Sequence, residues 1–228
     1  MKLTTNKQLT DLVRARMEEA LEGEKVVLCM GDRLTLAAFA HIPVIEPHLA
    51  CACTTTAEAE EAIRDTYSTF VISDDVPEAG SGVELLRAHR HLKTVLLSSR
   101  ANDGMVREAE SAGVDALIFR QHIGNDGSGA FLQALSRVAS GGVYIPPAVA
   151  AHAGEADPTA LELVASLTAT ERKVLSLVSK GLDNQQISEE LVVSESTTKT
   201  HLKSLRSRLG PEYQDRVKLC LLGIRSGI

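Results

Sequence analysis

The sequence predicts an α/β domain on a five-stranded parallel sheet, followed by a smaller domain made only of helices. Three observations carry this. Between residues 25 and 140, five short β-rich runs alternate with five stretches of helical periodicity, the pattern of parallel strands covered by helices on both faces. Around residues 146–160 the chain turns to small residues and proline without periodicity, as an interdomain linker does. Beyond that segment every periodic stretch is helical. The commonest small solution for such a sheet is the flavodoxin-like order, whose crevice lies at the carboxyl ends of the strands.

Composition narrows the field. Hydrophobic residues at 44% of the 228 supply ample core, and four cysteines (Cys29, Cys51, Cys53, Cys220) are too few for a disulfide framework. Aromatic residues at 3% argue against a stacking platform for single strands. No apolar run approaches the roughly 18 residues of a membrane span, and the start lacks the apolar core of a secretory signal. A cytoplasmic location is expected. The net charge of −6 is uneven: residues 158–228 hold ten Lys and Arg against eight Asp and Glu, and the remainder hold fourteen against twenty-two. The acidity belongs to the first part, and a mildly basic C-terminal unit is free to meet DNA.

In chain order, residues 1–24 show a helical stripe of Leu9, Leu12, Val13, Met17, Ala20 and Leu21 before Gly23. This extension suits packing on its own domain, a dimer seam or capture of a partner. Strands are predicted at Lys25–Met30, His48–Cys53, Thr69–Ser73, Thr94–Ser98 and Asp115–Phe119, with helices near 32–39, 56–66, 82–90, 103–112 and 128–140. The domains expected are thus 25–145 and 161–228. In the latter, Thr168 and Glu171 form a capping box before Val174, Leu175, Leu177 and Val178, and Gly181 stops the helix. Asp183 with Gln186 opens a second, short helix. Val192-Val193-Ser194 makes a tight turn, and a third helix runs from about Glu195 to Leu209. That is a helix-turn-helix.

Projection at about 100° per residue orients the third helix. Thr198, Leu202, Leu205 and Leu209 gather inward; Ser196, Thr197, Thr200, Lys203, Ser204 and Ser207 face outward, with Lys199 and Arg206 on the flank. Solvated faces ordinarily mix in acids, and here only Glu195 does. Small hydroxyls permit close approach, and lysine reaches phosphates or base edges.

These helices, through Leu167-Thr-Ala-Thr-Glu171-Arg-Lys-Val174-Leu175, Gly181-Leu-Asp-Asn184-Gln-Gln-Ile187-Ser, Leu191-Val-Val-Ser194-Glu-Ser-Thr197-Thr-Lys199-Thr-His201-Leu-Lys203 and Leu209-Gly210, closely resemble the LuxR-type helix-turn-helix. The resemblance implies a four-helix unit whose third helix enters the major groove of double-stranded promoter DNA. It sets Lys199, Thr200 and Lys203 at base edges and nearby phosphates, and Asn184, Gln185, Ser196 and Thr197 on the backbone. Thr170 and Thr198 depart from the usual Arg and Val, and the loop from Pro211 to Asp215 is about two residues long for the pattern.

The order of sheet, linker and helices also resembles the NarL/FixJ class of response regulators. Phe70-Val-Ile-Ser-Asp74, with Gly82 eight residues on, resembles the phosphoacceptor segment of its receiver, and Ser140-Gly-Gly-Val-Tyr-Ile-Pro-Pro147 resembles the tail of that class. A working receiver needs an acidic pair after the first strand to hold Mg²⁺, a hydroxyl after the fourth and a lysine after the fifth. The pair positions hold Met30-Gly31 with Asp32 one place late, the hydroxyl is Ser98, and the lysine position holds Arg120. The expectation is a degenerate receiver, independent of phosphate, with no metal or cofactor. The rival is a site rebuilt by Asp32 and Asp75, switched by phosphorylation of Asp74.

Other signals weigh less. Cys51 and Cys53 share one face of a strand as small core residues, and no histidine accompanies them at metal spacing. His89 and His91 find no triad partners, and residues 30–33 hold one glycine, too few for a phosphate loop. An enzyme is not expected. The reading is a homodimeric transcriptional regulator, because one short helix reads too few bases alone. Ligand or partner sensing by the sheet domain is an alternative, as is contact of the helices with RNA polymerase or a partner regulator.

Overall fold

β1 (Val26–Cys29) is buried along its whole length, between β2 (Leu49–Cys53) and β3 (Phe70–Asp74). β4 (Lys93–Ser98) and β5 (Ala116–Phe119) extend the sheet on the far side of β3. All pairs are parallel and the order is β2-β1-β3-β4-β5, the flavodoxin-like arrangement. In this computed structural model the residues described are 18–123, 129–146 and 158–228. The predicted N-terminal helix lies outside them up to residue 17; residues 18–20 are helical and Leu21 is buried. Among the described residues, no helix is long and apolar enough to cross a membrane.

Helices fill the connections as predicted, within a residue or two. They are α1 (Arg33–Ala40), α2 (Thr56–Thr66), α3 (Gly82–Ala88), α4 (Asp103–Ala112) and α5 (Gly129–Ala139). Four of them start on a side-chain cap, from Asp32, Thr55, Ser81 and Asn102. Each cap satisfies an amide the first turn leaves orphaned. Phe39 of α1 meets Phe131 of α5 edge-on at 4.9 Å, which sets these two on one face of the sheet.

Packing divides the chain between Ala139 and Ser140 rather than at the expected 145. The reason is Val143, which is fully buried in the core of the second unit. That unit contains α6 (Pro158–Ala165), α7 (Ala169–Ser179), α8 (Asn184–Leu191), α9 (Glu195–Leu209) and α10 (Arg216–Arg225). From Pro158 on it is built of helices and short connections, with α6 added to the four helices expected. Pro158 begins α6, a position where its missing N–H costs nothing, so the end of the expected linker is already helix. Residues 147–157 of that linker lie outside the described ones. Ala160 and Val164 of α6 are buried with Leu175, Val178, Leu202 and Leu205.

Candidate nucleic-acid interface and the sheet crevice

The helix-turn-helix is fixed by reciprocal caps. Thr168 and Glu171 close the capping box of α7, and Asp183 and Gln186 close that of α8. α8 ends on Val192 in the left-handed region at φ 55°, with its side chain exposed. Ser194 then caps α9 by accepting from the Thr197 amide at 3.2 Å.

Glu171 is also the joint between α7 and α9. Beyond the Thr168 amide and hydroxyl (2.9 and 2.8 Å), it accepts from Ser204 Oγ at 2.9 Å and pairs with Arg208 Nε at 2.9 Å. Burial raises the cost of its charge, but these donors outweigh burial and bring the pKa down to about 2. Ser204 is exposed, as expected of the outer face, and its hydroxyl also tethers α9 to Glu171. Arg216 makes a second tie, donating to Asn184 Oδ1 at 2.9 Å and to the Leu182 carbonyl at 2.6 Å.

With its inner stripe of Thr198, Leu202, Leu205 and Leu209 buried, α9 presents the expected outer face. Ser196, Lys199, Thr200, Lys203 and Ser207 are exposed and Thr197 is half-buried. Ser196 and Thr197 share the Ser194 hydroxyl at 2.8 Å each, and Thr200 donates to the Ser196 carbonyl at 3.0 Å. Lys199 leans on Glu195 at 2.8 Å, whereas Lys203 makes no ion pair among the described residues. Gln185 is exposed at the start of α8 and reaches Glu189 at 3.1 Å. Arg206 stands apart: it is half-buried, its Nε has no hydrogen-bond partner, and burial lowers its pKa against the pull of Asp215.

The crevice of the sheet lies where β1 and β3 end. Asp74 is buried there; its Oδ2 accepts from the Gly31 amide at 3.0 Å and from Arg120 at 2.9 Å, and its Oδ1 has no partner. Desolvation raises its pKa, against the Gly31 amide and the Arg120 charge. Gly82 is required behind it, because a Cβ there would sit 1.7 Å from the Asp74 carbonyl oxygen. The other expected residues do not converge. Asp32 is exposed and caps α1, accepting from the Thr35 amide at 2.8 Å and from its hydroxyl, and these bonds lower its pKa. Ser98 donates to Asp75, not Asp74, at 3.0 Å.

Sequence reasoning missed the partner of Asp75. Arg100 donates to it at 2.8 Å and to both oxygens of Glu108 at 3.2 and 2.9 Å. The position of Arg100 two residues past β4 is the one signal that pointed there. The donor set does not fit a divalent cation. Met30 is fully buried, a side chain at 31 would meet the Val76 carbonyl at 2.4 Å, Asp32 is committed to a helix cap, and Asp75 is neutralised by Arg100. No group of three ligating side chains stands together among the described residues. Cys29 and Cys53 are buried neighbours in the β1–β2 register, as core residues are.

Several known proteins are similar to this chain. Residues 165–219 match the family of bacterial regulatory proteins, luxR family. The response regulator protein VraR of Staphylococcus aureus is 26% identical over 172 residues, 75% of this chain and 79% of that protein. VraR of Staphylococcus epidermidis is 26% identical over 171 residues, with the same coverage. The RcsB response regulator of Salmonella typhimurium is similar in structure at a TM-score of 0.49 and 17% identity, covering 86% of this chain and 96% of that one. Residues 165–219, from just before α7 into α10, thus match the luxR helix-turn-helix type, on a chain similar over 75% of its length to proteins named response regulators.

Proposed function

We propose that this protein is a sequence-specific transcriptional regulator that binds promoter DNA through α9 as a homodimer, and that it does so without phosphorylation of Asp74. The observation that carries the DNA reading is the outer face of α9. Its inner side is pinned by Glu171 and the buried stripe, while Lys199, Thr200 and Lys203 stand exposed for the groove, with Ser196 and Thr197 at the helix start. Asn184 and Gln185 at the start of α8 serve the phosphate backbone. Arg206, half-buried, acts only at the margin of that face. One such face covers too few base pairs for specificity, which supports two copies on paired half-sites.

Independence from phosphate rests on the crevice. Arg120 pairs with Asp74 at 2.9 Å, and the neighbouring carboxylates Asp32 and Asp75 are engaged by a helix cap and by Arg100. Asp32, Ser98 and Asp74 each serve a local structural bond instead.

The test is binding of the untreated full chain to a pool of genomic promoter fragments, with and without Mg²⁺ and beryllofluoride. Tight, salt-sensitive binding that ignores the phosphate mimic is expected. Binding that appears only with the mimic would overturn phosphate independence. Absence of any fragment selection, with capture of RNA polymerase or a partner regulator in DNA-free pull-down, would overturn the DNA reading.

A further inference from the structure

β2 is the free edge of the sheet, and nothing among the described residues pairs with its outer side. Along a parallel strand the amide and carbonyl of one residue point the same way, and the direction alternates. The Cys53 carbonyl accepts from the Met30 amide on the inner side, so Ala52 turns its backbone groups outward, while Ala50 is the extra residue where the register with β1 shifts between Val26 and Val27. Between α1 and α2 this edge forms the floor of an open slot of about 690 Å³. Small side chains line much of it, Ala37 on α1, Ala62 on α2 and the alanines of β2, with Leu36 the large apolar residue among its lining.

The slot has a charge. Glu58, Glu61 and Asp65 line its α2 wall, and Arg33 is the one cation among its lining residues. Arg33 already leans toward Glu78 at 3.6 Å, and Glu58 serves the cap of α2 through Thr54 and Thr55. Glu61 and Asp65 form no ion pair among the described residues. A second copy of this chain is disfavoured there, because a two-fold contact would set one acidic wall against the same wall.

We propose that the β2 edge binds an extended, lysine- or arginine-bearing segment of a partner protein, which adds as a sixth strand. Its backbone would pair first with Ala52, beyond the bulge at Ala50, and its cations on one side would meet Glu61 and Asp65. Main-chain pairing provides the attraction and the alternate side chains provide selection. The proposal stands apart from the reading of α9 and is tested without DNA.

The probe is a fluorescein-labelled eight-residue peptide of alternating lysine and valine, blocked at both ends and titrated with the full chain by anisotropy. Saturable binding is expected, with none for the glutamate–valine counterpart. Glu61→Lys should weaken it at least about ten-fold. Glu60→Lys, the same charge change on the same helix outside the slot, should leave it intact. Of two probes N-methylated at alternate residues, one should lose binding and the other keep it, since only one set of amides faces β2. No saturable binding, equal binding by both methylated probes, or equal loss in Glu60→Lys would overturn the proposal. So would self-association of the chain that Ala52→Pro abolishes, which would place a second copy in the slot.

Discussion

Asp74 and Glu171 are both carboxylates with almost no exposed surface, yet their surroundings push them in opposite directions. Glu171 is met by an amide, two hydroxyls and a guanidinium, and its pKa falls to about 2. Asp74 is met by one amide and one guanidinium on a single oxygen; the other is orphaned, and burial wins. Burial alone disfavours a charge, and the number of well-placed donors decides whether the charge survives. In the helical unit a buried carboxylate has become a joint between α7 and α9. In the sheet unit it sits in a crevice that supplies donors to one of its two oxygens.

The comparison can be broken most severely at the backbone under Asp74. Gly82→Ala places a Cβ 1.7 Å from the Asp74 carbonyl oxygen, and neither backbone segment can yield cheaply. Destabilisation of about 3 kcal/mol or more is expected in urea unfolding; a loss under about 1 kcal/mol would show that the loop after β3 is soft. Next comes Glu171→Gln, which keeps the shape but removes the charge that Arg208, Ser204 and Thr168 hold. A loss of about 2 kcal/mol is expected, read by amide exchange in α7 to α9. Its pH dependence has a definite sign. A carboxylate held below its ordinary value contributes stability above that ordinary value, and the contribution disappears as pH falls toward about 2. The wild type should lose this advantage over Glu171→Gln as pH drops below the usual glutamate range.

Asp74→Asn should behave in the opposite sense. With its pKa raised, folding disfavours the Asp74 charge, so acid relieves the cost and rising pH through the folded value restores it. Replacement by Asn should change stability by no more than about 1 kcal/mol at neutral pH, with promoter binding unaltered. A large loss would mean that the Arg120 pair stabilises more than burial costs.

Much of this was legible in the residues. The short β-rich runs and the period-3.6 stretches located the five strands and the five α-helices α1–α5 of the sheet unit, and the capping boxes at Thr168 and Asp183 located α7 and α8. The inward stripe of α9 was legible because apolar spacing on one helix needs no partner to be seen. What escaped depends on contacts distant in sequence. Ser204 is exposed as the helical wheel expects, but its bond to Glu171, 33 residues away, is not visible there. Arg206 lies on the flank of the wheel yet is half-buried. Ser98 was placed at the Asp74 site, whereas Asp75 claims it from 23 residues away. Val143 reads as the end of the sheet domain and packs in the helical core. Each turns on a neighbour that periodicity does not report.

The smallest effects lie on α9, where the two units differ most in how they use charge. The crevice pairs its charges internally, Asp74 with Arg120 and Asp75 with Arg100, while α9 leaves Lys203 open. A lysine that neutralises one phosphate contributes about 0.9 to the slope of log K against log salt. Lys203→Ala should therefore flatten that slope by about one contact. Lys199 already faces Glu195 at 2.8 Å, so part of its charge is offset before DNA arrives, and Lys199→Ala should flatten the slope less. An exposed pair of this kind contributes little to folding, about 0.2–1 kcal/mol, so releasing it costs the fold little. Glu195→Gln should then free Lys199, remove an anion near the phosphates and strengthen binding about two- to five-fold. Gel-shift titrations at several salt concentrations decide among these outcomes. If the slope is unmoved in both lysine variants and Glu195→Gln is neutral, the outer face of α9 is not where DNA binds.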